Sequence, residues 1–185
     1  MHRSIAKFVA VAVVMAAAFG AMSMTTRAQP QSTDHAKAPR SISVYMTDLM
    51  IGLISDSRLH PSVNAVDTYA AAFHWRKTPP ETNSLLNAKV GYATKIDGQI
   101  LLLGCDGTNE IFAVSVRDGF RVDEVVAELR RVYHLKKQES EESDGGEVDS
   151  YILVDGKTEV GLLTLTYGIT EPIRGAGTID FMAMD

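Results

Sequence analysis

Cys105 is the only cysteine in the 185 residues, and Asp106 follows it directly. A thiol attacks as its thiolate, so catalysis there requires a nearby base and a lowered pKa. His60, His74 and His134 are the candidate bases, and a small hydrolase built on His74, Cys105 and Asp106 is one reading. No local motif joins the three. The run Ile100 to Gly104 before the cysteine is apolar, and a buried, unreactive thiol is the commoner outcome for such a residue. A single cysteine also excludes a disulfide framework within one chain.

Other chemistry-bearing groups carry less. Glu139, Glu141, Glu142, Asp144, Glu147 and Asp149 crowd one stretch, but the ordered ligand spacing of a calcium loop is missing, so they read as a solvated charge run. Met46 with Met50, and Met182 with Met184, share a face at helix or strand spacing. With His60 or His74 they offer soft copper ligands, yet filling a core is the usual role of Met. Gly175-Ala-Gly177 resembles a fragment of a phosphate loop without the helix that would receive the anion. No cofactor and no metal is expected.

His74-Trp75-Arg76-Lys77 combines the only Trp with adjacent cations on an acidic chain. Trp and Arg concentrate at interface centres, which marks these four residues as the candidate partner-binding site. The competing reading packs Trp75 on the core with the cations reaching outward.

These groups need elements to hold them. Val122, Val125, Val126, Leu129, Val132 and Tyr133 recur at helical spacing and predict a central amphipathic helix over 120–137. Arg121 stands at its cap, Phe120 and Val125 at a hydrophobic staple, with Asp123 and Glu124 in the first turn and Lys136 and Lys137 in the last. Upstream, two helices are expected over 42–57 and 62–76. The second closes before Thr78-Pro79-Pro80, and a short helical turn follows over 81–88.

From Lys89 the period becomes alternating. Val90 to Ile96, Ile100 to Cys105 and Phe112 to Val116 form a three-strand meander, turned at Asp97-Gly98 and Asp106-Gly107. After the central helix, a polar connection over 138–150 leads into three further strands: 151–154, 160–167 and 178–184. The fold class is α+β, one largely antiparallel sheet packed against helices.

The start of the chain reads as an address. Arg3 and Lys7 precede the short apolar run Phe8 to Phe19, the pattern of a secretory signal peptide over 1–28, cleaved after Ser23 or, preferably, Ala28. Residues 29–40 read as a flexible linker, and 41–185 as a single α+β domain. Processing at Ala28 removes Arg3, Lys7 and Arg27 and no acid, which takes the net charge from −5 to −8. Such acidity argues against nucleic acid or an anionic membrane as partner. The expected protein is exported, periplasmic or secreted, and keeps no membrane span after processing. It is non-enzymatic and binds another protein of the cell envelope, as inhibitors and immunity proteins do. The small hydrolase above is one alternative. The other is a small-ligand carrier with its pocket between the N-terminal helix pair and the sheet.

Overall fold

A computed structural model describes residues 41–57, 62–116, 119–143, 146–169 and 176–184. The expected signal peptide and linker, His60 and Asp144 lie outside them. Among the described residues the helices are α1 (Ile42–Ser57), α2 (Val63–Ala72), α3 (Pro80–Leu86) and α4 (Val122–Leu129). The strands are β1 (Arg76–Lys77), β2 (Val90–Ile96), β3 (Gln99–Cys105), β4 (Glu110–Ser115), β5 (His134–Ser143), β6 (Gly146–Asp155), β7 (Thr158–Tyr167) and β8 (Gly177–Ala183).

All eight strands join one antiparallel sheet in the order β1-β2-β3-β4-β8-β7-β6-β5. The chain is therefore α+β. Each half is a helical segment followed by a four-strand meander, and the two final strands meet at the centre with Ala113 opposite Ile179. That plan leaves β1 at one edge and β5 at the other. Among the described residues no helix is long and apolar enough to cross a membrane.

Alternation assigns the two faces. Leu101, Leu103 and Cys105 join the main core under α1, α2 and α4, with Met46, Leu49, Met50, Leu53, Val125 and Leu129. Leu102, Phe112 and Val114 point the other way and pack with Leu86 of α3. Full burial of a side chain such as Leu49 or Leu101 is worth about 1.5–3 kcal/mol over leaving it exposed.

Turn chemistry follows the sequence. Asp97 and Gly98 both hold positive φ, 47° and 82°, as a two-residue hairpin between right-twisted strands requires. Gly177 answers a different demand. A Cβ there would lie 2.2 Å from the ring of Phe120, so only glycine lets β8 pass beneath the entry to α4.

The central helix departs most from expectation. It begins after Arg121, which caps by position but makes no side-chain cap hydrogen bond, and it ends at Leu129 rather than at Lys137. The amides of Val132 and Tyr133 both bond the Leu129 carbonyl, at 3.0 and 2.8 Å, and turn the chain out of the helix. Val132, expected in the apolar stripe, is half exposed, while Tyr133 stays buried with its hydroxyl 3.2 Å from Ser55. Residues 134–143 become a strand because β6 supplies partners that local periodicity cannot reveal. Lys137 pairs with Asp149 on neighbouring β6, and Lys136 reaches past β6 to Glu159 on β7. The polar connection expected over 138–150 is mostly β5 and β6, so four strands follow the helix, not three.

Candidate functional site

Helix α2 also stops earlier than expected, and its stop builds the corner that holds the four marked residues. Ser62 caps its start by accepting the Ala65 amide at 3.2 Å. At the other end the Trp75 amide bonds the Ala70 carbonyl at 2.8 Å, and the His74 amide bonds Ala71 at 3.2 Å. This nested pair is a Schellman motif, with Phe73 at the C-cap and His74 in the left-handed position at φ 56°. Glycine is the usual occupant there, and its absence is why helix periodicity ran on to residue 76. Arg76 and Lys77 emerge as edge strand β1, opposite Ala93 and Tyr92.

The Schellman turn drives Trp75 inward. It is 7% exposed, joins the main core and lies edge-on to Tyr69 with ring centroids 6.3 Å apart. The exposed aromatic is instead Phe73, 55% exposed and stacked on Tyr69 at 4.5 Å. The Trp75 indole N–H also donates to the Tyr45 hydroxyl. The corner is therefore a column: Trp75 buried, Tyr69 half-buried on it, Phe73 outermost.

Around this column His74, Arg76 and Lys77 are exposed. Lys77 holds its ammonium 5.8 Å from the Tyr92 ring centroid, and the Tyr92 hydroxyl donates to Asp67 at 2.5 Å. Burial, with the Asp67 hydrogen bond adding, pushes the Tyr92 phenol up to about 12. Burial, with the charges of Tyr45 and Asp48 adding, pushes Tyr69 up to about 12 as well. Both phenols stay neutral near pH 7. The corner thus offers an apolar platform beside cations, a surface suited to binding.

The hydrolase residues are not drawn together. Cys105 pairs with Val90, whereas β1 begins opposite Ala93, three residues and about 10 Å further along the sheet. His74 lies beyond that point again. Cys105 itself is fully buried, and its sulfur accepts the Gly107 amide at 3.3 Å. Burial pushes its thiol up, with the carboxylates of Asp106 and Glu110 adding; the Gly107 hydrogen bond and Lys89 act against them. Asp106 closes its own turn, accepting the amides of Thr108 and Glu110 at 2.8 and 3.0 Å. Met46 and Met50 are fully buried core, while Met182 lies on the opposite sheet face. Among the described residues no three His, Cys, Asp or Glu side chains are grouped to hold a metal ion.

One polar cluster escaped the sequence. Asp149, inside the acid-rich stretch, is 6% exposed and accepts from four donors on three strands. They are Lys137 at 2.9 Å, Ser140 at 2.5 Å, Tyr151 at 3.1 Å and Tyr167 at 3.2 Å. Burial alone would raise its pKa; the hydrogen bonds from Ser140, Lys137 and Tyr151 prevail and hold it below the usual carboxylate range. With every lone pair engaged, the carboxylate clasps β5, β6 and β7 together. Strand register alone brings these residues together, and nothing in their linear spacing signals it.

Compared with known protein families, with curated proteins and with solved structures, the chain matches none.

Proposed function

We propose that the protein is an exported, non-enzymatic binding domain of the cell envelope that recognises another protein, in the manner of an inhibitor or immunity protein. The aromatic corner is the proposed contact surface. One observation carries this reading: Phe73 remains 55% exposed although it is stacked on a partner ring anchored to the core. A large aromatic held rigid and left in water loses little conformational entropy on binding, which is how interface anchors act. Arg76 and Lys77 beside it contribute positive charge on a chain whose processed form carries −8. They favour a partner whose contact surface is acidic.

A photo-crosslinking residue placed at Phe73 in the native envelope tests this. A discrete adduct is expected, competed by excess unmodified protein and reduced by R76A/K77A. The reading fails if position 73 labels no better than exposed Asp155, or if competition leaves the adduct unchanged.

A further inference from the structure

We propose that β5 is the seam of a two-fold dimer, in which a second copy of this chain pairs antiparallel along the same strand. This goes beyond the aromatic corner and does not depend on it. The two sheet edges differ sharply. β1 has two residues, both cationic, whereas β5 has ten and runs the full length of β6. Long edges are usually blunted, and β5 is blunted by charge in a particular order.

Its first half is basic: Arg130 and Arg131 lead into it, followed by Lys136 and Lys137. Its second half is acidic, with Glu139, Glu141 and Glu142 all exposed. Lys136 and Lys137 have partners within the chain, Glu159 and Asp149. The three glutamates make no ion pair among the described residues. Glu142 moreover sits directly opposite Glu147 on β6, an unfavourable like-charge pair. The acidic end is short of positive charge, and the strand's own other end carries it.

Only one arrangement supplies that charge along the whole edge. Parallel stacking of copies in register sets acid against acid and base against base. Antiparallel pairing about a two-fold axis reverses one copy and sets each basic end against the other's acidic end. The face of each side chain then restricts the register. Lys136 and Glu141 pair across from Ile152 and Val148 of β6, two residues on the same face, while Lys137 and Glu142 point to the opposite face. A register that keeps faces matched sets Lys136 opposite Glu141 of the second copy, twice by symmetry. It also sets Lys137 diagonal to Glu142 of that copy. The bulge between Lys137 and Glu139 bends the strand, and a two-fold axis guarantees a partner bent alike. The joint repeats the one already at the middle of the sheet, where β4 and β8 meet antiparallel with helices on a common face.

Sedimentation equilibrium of the processed chain and two charge reversals tests this. At low salt the wild type should associate reversibly to a dimer and no further, and the association should weaken in high salt. E141K, which removes no contact within the chain, should weaken it by about ten-fold or more, because two attractive pairs become repulsive. K136E should do the same. An equimolar mixture of the two variants should form heterodimers about as tightly as the wild type, since both cross-pairs are then opposite in sign. A monomeric wild type, an E141K variant that self-associates like the wild type, or growth into higher oligomers would each overturn the proposal. So would a mixture that stays dissociated, provided circular dichroism shows both variants folded. If K136E does not fold, E141K alone still decides.

Discussion

Phe73 stacks on Tyr69 with ring centroids 4.5 Å apart and planes inclined by 29°, and only two residues later Trp75 is buried beneath the same ring. Two aromatics separated by a single residue therefore carry opposite duties. Trp75→Ala is expected to cost about 3–5 kcal/mol, the range for a buried aromatic truncation. Phe73→Ala should cost less than about 1 kcal/mol, since most of its surface stays in water. Denaturant melts of the two variants check this, and equal losses would contradict the column.

His74 occupies the left-handed position of the Schellman turn at φ 56°. A residue with a Cβ is strained there by roughly 1–2 kcal/mol. His74→Gly should therefore stabilise the protein or leave it unchanged, despite glycine's larger unfolded-state entropy. His74→Val, β-branched, should destabilise it. Thermal melts of both variants would show whether the backbone conformation rules this position.

Asp149 makes the stability of the C-terminal strands depend on acid. Its folded pKa lies below the ordinary carboxylate value, so its contribution is complete above the unfolded value of about 4. That contribution is lost as pH falls through the depressed folded pKa. Asp149→Asn should be less stable than the wild type at pH 7, and the gap should narrow below about pH 4. Melts across pH 2–7 read the difference directly.

Tyr92 gives the matching test at high pH. Its folded pKa is pushed up to about 12, so its contribution is whole below the unfolded value of about 10 and fades as pH rises toward 12. Phenolate absorbance of the native protein should show tyrosines titrating late, Tyr92 and Tyr69 among them, and Tyr92→Phe should lower the late amplitude by one phenol. A late amplitude unchanged by Tyr92→Phe would mean that Tyr92 is neither buried nor bonded to Asp67 in solution.

Cys105 is fully buried, and burial pushes its thiol up. A thiol reagent should label it slowly in the native protein and rapidly in denaturant. Fast native labelling would return it to consideration as a nucleophile.

Where an element's pattern was local, the sequence alone determined it. The alternating residues from Val90 to Ile96, the Asp97-Gly98 turn, the apolar strand ending at Cys105 and the start of α4 after Arg121 all follow from side-chain period and turn chemistry within a few residues. The α+β class followed from their sum. Three things depended on contacts distant in sequence. Residues 134–143 read as the end of a helix and a polar connection, and they form a strand because β6 pairs with them from His134 to Ser143, with Asp149 on β6 and Glu159 on β7 receiving Lys137 and Lys136. The Asp149 clasp joins residues spread from 137 to 167, whose meeting depends on register. Trp75 and Phe73 look interchangeable as text; the left-handed turn at His74 sent one inward and left the other in water. Periodicity reports the environment a segment prefers by itself, whereas strand pairing and burial are set by whichever neighbour the fold brings alongside.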